Sequence, residues 1–387
     1  MNNIAALAPK YVLPIDSEHE LYVLWFNKSN SYIIVSNKVL EFLKSFLNKT
    51  KIDFFNYLKN KGYTYENSAN YYLEISQLLL SVNYNSRSNY NIYEFKYLDY
   101  KKLYKEEITS RTYYVIYGKY IQVNFPNEII KNFVNPQLAY YEASFNSNVD
   151  YQVFDVVCDN KNVVLYLNRT FLLATKLVEM HVFLGKFSLQ IFNLLYAKKE
   201  EDWLATFHAS TVVKDKNAIM CIGKSGSGKS TLSALLNQNG YNVVADDITP
   251  MLASSLEVYR NPSAISIKKG AFTLLNNHVK SFNSLTTVNG YKGDIKFLPI
   301  NGCPKKTYSY KCNKVVLVNF NKDNKIPSLE ILDRSKGLEI LISESWVSSN
   351  SSHALQFLNW INTVTFYKLT YSKTEDAIKY FADLESY

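Results

Sequence analysis

Apolar and polar positions fall into short blocks at the start of the chain. Leu21 to Phe26 and Ser31 to Val35 read as two strands, and Asn27-Lys28-Ser29-Asn30 between them has hairpin-turn composition. Ser36 or Asn37 then caps a helix whose Val39, Phe42, Leu43, Phe46 and Leu47 fall on one face. A shorter helix follows with Ile52, Phe55 and Leu58 inward, closed by Gly62. Tyr72, Ile75, Leu78 and Leu79 mark a third helix from Glu66 to about Val82, and the polar stretch Asn83 to Asn91 has the composition of a linker.

Beyond Tyr93 the pattern turns to short β-rich runs: Thr112 to Tyr117, Tyr120 to Phe125 and Val163 to Leu167. Phe171 to Tyr196 is the most apolar stretch and predicts one or two packed helices. Lys176, Glu179, His181 and Lys186 interrupt it and make a membrane span unfavourable. Thr206 to Val213 and Asn217 to Ile222 predict two strands around the turn Lys214-Asp215-Lys216. A helix from Lys229 to about Asn239 follows, with Gly240 where a left-handed C-terminal cap is wanted. Tyr308 to Phe320 and Ser328 to Leu332 predict further strands, and Gly337 to Ser343 and His353 to Thr363 further helices. Hairpin plus three helices is the outline of a small winged-helix (α+β) domain; the rest is α/β.

Composition narrows the classes. The 387 residues are enough for two or three domains, and 47% hydrophobic with 20% charged residues describes a globular chain. The formal charge of +9 is spread through the sequence instead of gathered in blocks, so it carries little information about partners. Cys158, Cys221, Cys303 and Cys312 share no metal-ligand spacing and are expected as free thiols. Met1 to Lys10 does not resemble a secretion signal, which predicts a cytoplasmic address.

Between the predicted strand and helix lies Gly223-Lys224-Ser225-Gly226-Ser227-Gly228-Lys229-Ser230, followed by Thr231, the complete pattern of a phosphate-binding loop (Walker A). Closely spaced glycines let backbone amides converge on phosphate oxygens, and the N-terminus of the next helix adds partial positive charge. Lys229 supplies a full charge at the β- and γ-phosphates, and Ser230 a hydroxyl for Mg²⁺. Val243-Val244-Ala245 then leads into Asp246-Asp247, where such proteins commonly place a metal-binding aspartate. Adjacent strand residues point to opposite sides, so the two carboxylates need different tasks. The economical pair is a metal ligand and a general base for an attacking hydroxyl. Lys292 and Lys296 in Lys292-Gly293-Asp294-Ile295-Lys296, and Lys268 with Lys269, could reach a phosphate or an acidic peptide, although solvated lysines are the commoner case.

His208-Ala209-Ser210, Gly223 to Thr231, Gly240 and Val244-Ala245-Asp246-Asp247, in this order and spacing, resemble the core of the HPr kinase/phosphorylase family, which itself is similar to ATP-dependent phosphoenolpyruvate carboxykinase. The resemblance implies ATP, Mg²⁺ and a serine hydroxyl on a protein or peptide as acceptor. By position it makes Asp246 the catalytic base, Lys229 the phosphate-binding lysine, Ser230 and Asp247 the metal ligands, and His208 a histidine near the phosphates. The loop departs from the bacterial HPr enzymes in having Thr231 where they have an acidic residue, and their downstream glycine-arginine signature is absent. Arg260 to Lys268 and Val364 to Tyr371 look instead like divergent HPr-kinase-like proteins found beside peptide-modifying enzymes, including kinases of lasso-peptide precursors.

The first domain resembles the PqqD-like element that holds the leader of a ribosomally made peptide. The resemblance implies an extended leader added at the edge near Tyr32 to Val35, facing Tyr71, Ile75 and Leu78. A DNA-binding winged helix would offer Arg or Lys from its recognition helix, yet Glu66 to Val82 contains neither and carries Glu66 and Glu74.

The expected architecture is therefore a PqqD-like winged-helix domain over residues 1–88, a β-rich and helical accessory part over 89–205, and a P-loop HPr kinase/PEP carboxykinase-like core over 206–387. The expected activity is transfer of the γ-phosphate of ATP, with Mg²⁺, to a Ser/Thr hydroxyl of a precursor peptide or small protein, with neither DNA nor membrane as partner. Hexamers among the HPr kinases leave a homo-oligomer open. A nucleotide-gated peptide-binding module without phosphotransfer and a small-molecule kinase are the other readings at this point.

Overall fold

A computed structural model of the chain describes residues 7–84, 108–159, 161–290, 293–300, 308–324 and 326–385. The linker expected at 83–91 falls almost entirely outside these residues, as do the boundary at 88/89, the expected start of the second region at Tyr93, Lys292 and Cys303. The fold is mixed α/β with several sheets, and the chain divides into two compact units.

The first unit contains 1–91 together with 332–342 and 347–364, so two helices distant in sequence cluster with the N-terminal residues. Its sheet has three antiparallel strands, Tyr11–Asp16, Leu21–Phe26 and Ser31–Ser36, in that order; the first was not expected. Ser36 caps the helix Asn37–Asn48 by accepting from the amide of Val39, and Thr50 caps Lys51–Asn60 in the same way through Asp53. The phase of both helices differs from expectation. Val39 and Ile52 are exposed, and Leu40 and Phe54 point inward beside Phe42, Leu43, Phe46 and Leu58. In Lys51–Asn60, Phe54 and Phe55 are adjacent, so the pattern alone admits two phases and packing against Phe46 and Tyr72 selects one. Tyr71, Ile75 and Leu78 of the helix Tyr65–Tyr84 belong to this core.

All of Val23, Leu24, Trp25 and Phe26 are buried, so both faces of the central strand are covered. Leu24 and Phe26 pack with the three N-terminal helices. On the other face Tyr32, beside Trp25, meets Phe357 of the helix Ser351–Thr363 edge-on at 5.6 Å. Arg334 and Asn362 donate to the carbonyls of Ile15 and Pro14.

The second unit holds a five-stranded sheet and the large sheet of the chain. The five strands, Ser110–Ile116, Lys119–Phe125, Gln152–Cys158, Asn162–Leu167 and Thr170–Lys176, lie in sequence order. Thr170–Lys176 corrects the reading of 171–196 as helical throughout; only Met180–Tyr196 is an α-helix after a short 3₁₀ turn. Asn168 and Arg169 both have positive φ, as a two-residue hairpin turn requires, and this turns the apolar run back along Asn162–Leu167. Phe183, Phe187 and Ile191 of the helix fill the sheet's core.

In the large sheet the neighbours run Asn242–Ala245, Ser210–Val213, Asn217–Ile222, Ser309–Phe320, Glu257–Tyr259, Thr249–Leu252 and Trp203–Phe207. Thr365–Tyr371 pairs in parallel with the second half of Ser309–Phe320 and with Ser328–Ile331 on its far side. The single strand expected over 206–213 is two. Trp203–Phe207 pairs with Thr249–Leu252, whereas Ser210–Val213 pairs with Asn217–Ile222 and Asn242–Ala245. His208 and Ala209 form the break. A buried hydroxyl pair, Thr211 with Thr249 at 2.8 Å, ties the two parts together, and Thr249 also donates to the carbonyl of Ala209.

Candidate functional site

The strand Asn217–Ile222 ends at Gly223, and the helix Lys229–Gln238 begins after Gly228, so the glycine-rich segment spans a strand-to-helix turn. Gly223, Gly226 and Gly228 have φ of 140°, 90° and 101°, a region costly for residues with a side chain. At two of them space is limiting as well. A Cβ on Gly223 would lie 2.8 Å from Ser227 Oγ, and one on Gly228 would lie 3.0 Å from the Tyr371 hydroxyl and 3.2 Å from Phe320 Cβ. The loop is seated on the neighbouring strands, with the amide of Phe320 donating to the carbonyl of Ser227 at 3.1 Å.

Gly228 occupies the N-cap position of the helix, and no side chain caps it. First-turn amides without a side-chain acceptor are the donors an anion requires. The ammonium of Lys229 donates to the carbonyl of Gly223 at 2.5 Å and lies 3.5 Å from that of Lys224, folded into the loop. The residue is 7% exposed. Burial lowers its pKa from the ordinary lysine value, against the opposing charges of Asp247, Asp246 and Glu344. A lysine in this state gains from any further negative charge brought to the loop.

The two aspartates diverge as their adjacency requires. Asp246, just past the strand Asn242–Ala245, is buried. Its Oδ1 accepts from Ser210 Oγ at 2.5 Å and its Oδ2 from the amide of Ser266 at 3.0 Å. Desolvation, and after it the charge of Asp247, raises its pKa from 3.8 to about 6; hydrogen bonds from Ser210, Ser266 and the Ser230 side chain oppose the rise. Ser230 therefore stands beside Asp246. Asp247 has a left-handed backbone, φ 67°, and its side chain is 63% exposed. His208, at the break between the two strands, has Nδ1 3.1 Å from the carbonyl of Asp247 and 3.3 Å from its Oδ1. A carbonyl only accepts, so Nδ1 carries the proton. Nε2 is 4.0 Å from Glu344 Oε2.

The segment after the aspartates holds them in place. Arg260 donates to the carbonyl of Val243 at 2.7 Å, the amide of Asn261 to the carbonyl of Val244, and the Asn261 side chain to the carbonyl of Ile248. This brackets Asp246-Asp247 between backbone anchors.

All the residues singled out in the sequence converge here: Gly223 to Thr231, His208, Asp246 and Asp247. Sequence reasoning missed Glu344 and gave Lys268 and Ser266 no role in the site, although the resemblance over Arg260 to Lys268 included both. Lys296 corrects the expectation of a solvated lysine. It is 7% exposed, its ammonium donates to the carbonyls of Phe282 and Asn283, and it faces the rings of Phe272 and Phe282. Among the described residues no group of three or more His, Cys, Asp or Glu side chains is placed to hold a metal ion. The residues present fit a hard cation only in the manner of Mg²⁺ on a nucleotide, where one carboxylate and a hydroxyl share the ion with phosphate oxygens and water. Among the described residues no helix is long and apolar enough to cross a membrane, and Cys221 is a buried free thiol.

Compared with known proteins, the sequence matches no family model and no curated protein. Among solved structures the chain is similar to the HPr(Ser) kinase/phosphatase from Coxiella burnetii, at 14% identity and a TM-score of 0.23, covering 47% of this chain and 97% of that one. A likeness of this size carries no argument about activity, which rests on the geometry above.

Proposed function

We propose that the chain is an ATP- and Mg²⁺-dependent kinase that phosphorylates a Ser/Thr hydroxyl of a ribosomally made precursor peptide or small protein. One observation carries the reading: the glycine loop, with Lys229 buried in it, leads into Ser230, whose side chain bonds the carboxyl of Asp246. The loop amides and Lys229 hold the triphosphate and offset charge that builds during transfer. Asp246, with a pKa of about 6, is a base poised close to neutral pH. It takes the proton of the acceptor hydroxyl as the acceptor oxygen bonds to the γ-phosphorus and the bond to ADP breaks. Ser230 and Asp247 would hold Mg²⁺, which would supply positive charge to offset that of the triphosphate. His208, donating to the carbonyl of Asp247, sets that residue's left-handed backbone.

A second arrangement of the same activity is favoured by the bond from Ser230 to Asp246. In it Asp246 is the metal carboxylate and exposed Asp247, beside His208, receives the proton.

For the acceptor, the supporting feature is in the first unit. Among the described residues Ser31–Ser36 pairs only with Leu21–Phe26, which leaves its other edge open for an extended peptide strand. Because 347–364 clusters with the N-terminal residues, deleting 1–88 would uncover that segment's apolar side chains; the test belongs on the full chain.

The experiment is mass spectrometry of short peptides encoded beside the gene after incubation with the protein and Mg-ATP, with Asp246→Asn as control. Gain of one phosphate with the unmodified protein alone supports the kinase. ATP binding without gain on any peptide overturns peptide phosphorylation and leaves the nucleotide-gated binding module or a small-molecule substrate.

A further inference from the structure

The strand Ile265–Lys268 touches the site at two points. Ile265 and Ile267 are buried in the core behind the glycine loop, with Leu232, Leu235 and Leu236 of the loop's helix. Alternation turns Ser266 and Lys268 to the opposite side. The amide of Ser266 donates to Asp246 Oδ2 at 3.0 Å, and two residues further the ammonium of Lys268 donates to Ser225 Oγ at 2.8 Å. Ser266 and Lys268 are about 7 Å apart along an extended strand. The exposed cation thus reaches the loop at Ser225 from the strand whose Ser266 amide holds Asp246, and its present partner is a neutral hydroxyl. Lys269, the next residue, is spent on an ion pair with Asp294 at 2.8 Å.

We propose that Lys268 is a second phosphate-contacting cation, delivered to the transferred end of the triphosphate from outside the glycine motif. The inference rests on the kinase reading and extends it to a residue that the motif does not contain. Lys229 is held inside the loop by two carbonyls, whereas Lys268 is exposed and exchanges the Ser225 hydroxyl for a phosphate oxygen when nucleotide binds. A charged acceptor makes the stronger hydrogen bond. The strand that carries it also holds Asp246 through the amide of Ser266, which argues for the γ-phosphate, the role a cation supplied in cis plays in phosphoryl transfer.

Calorimetric titration of the full chain with Mg-ATP and with Mg-ADP tests this. Lys268 is exposed, so Lys268→Ala leaves the core intact. The expected result is that Lys268→Ala weakens Mg-ATP roughly tenfold and Mg-ADP less than about threefold. Lys268→Arg retains most of the ATP affinity, and Lys269→Ala behaves as the unmodified chain. If the unmodified chain binds no triphosphate, the kinase reading fails and the inference with it. If it binds and Lys268→Ala binds both nucleotides equally well, or loses both equally, the placement of Lys268 at the γ-phosphate is overturned while the kinase reading stands.

Discussion

The hydroxyl of Ser210 lies 2.5 Å from Oδ1 of Asp246 and is one of three donors that keep this buried carboxyl from rising further than about 6. Ser210 begins the strand after the break at His208-Ala209, so the interruption of the expected long strand is what delivers the donor to the carboxylate. A hydrogen bond to the charged form lowers a carboxyl pKa. Ser210→Ala therefore moves the pKa of Asp246 upward, and with it the acid limb of the transfer rate. The expected result is a several-fold loss near pH 6, recovered to within about twofold near pH 8. Rate–pH profiles of the two proteins check it. A loss of equal size at both pH values assigns Ser210 to something other than tuning Asp246.

Burying Asp246 also has a consequence for stability. Its pKa is about 6 in the folded chain against 3.8 for the free side chain, so the folded form binds the proton more tightly between these values. Stability from this group is full below about pH 4 and is lost as pH rises through about 6. The shift corresponds to about 3 kcal/mol at most. Asp246→Asn removes the buried charge while keeping shape. It is expected to melt above the unmodified chain near pH 8 and to lose that advantage near pH 4. Thermal melts at the two pH values decide it, and the result is independent of any assay for transfer.

The parts of this site legible in the sequence are those that depend on local order along the chain. Gly223, Gly226 and Gly228 stand at spacings that need positive φ, and the strand before and helix after them follow from periodicity. The carboxylate pair follows from the same βα grammar. What could not be read is proximity. Lys268 and Glu344 are ordinary charged residues in sequence, and only the path of Ile265–Lys268 past Asp246 and the turn after 343 bring them to the loop. Lys296 illustrates the opposite error. A lysine in a polar stretch is usually solvated, but two carbonyls and two rings capture this one. Thr170–Lys176 was hidden for a different reason, since an apolar run that continues into an apolar helix has no periodicity to separate the two. In the first unit Val23 and Trp25 are as buried as Leu24 and Phe26 because a helix nearly 330 residues later along the chain (Ser351–Thr363) clusters with the same unit, a pairing that no local pattern announces.

Gly228 is a position where the loop tolerates little. Its φ of 101° already disfavours a side chain, by about 1–2 kcal/mol, and a methyl group would meet the Tyr371 hydroxyl at 3.0 Å and Phe320 at 3.2 Å. Gly228→Ala is expected to abolish detectable nucleotide binding while lowering the melting temperature only modestly, since the strain is confined to the loop. Adding Tyr371→Phe removes one of the two contacts but not the backbone strain, so it should recover stability more than binding. Calorimetry and thermal melts on the single and double variants separate the two effects.

Asp246 and Asp247 are adjacent in sequence and opposite in environment, and the difference makes their tasks separable. Asp247 is exposed and can give its carboxylate to an ion shared with phosphate oxygens; Asp246 is enclosed and tuned toward neutrality. Loss of a metal ligand weakens metal binding, which more metal can offset, whereas loss of a base cannot be offset in this way. Asp247→Asn is thus expected to raise the Mg²⁺ requirement for transfer by about tenfold, with much of the rate regained at saturating Mg²⁺. Asp246→Asn should stay inactive at every Mg²⁺ concentration while still binding nucleotide. Transfer rates measured across a Mg²⁺ titration distinguish this from the exchanged arrangement. If Mg²⁺ rescues Asp246→Asn and leaves Asp247→Asn inactive, the ion belongs between Asp246 and Ser230, and the acceptor's proton goes to Asp247 beside His208.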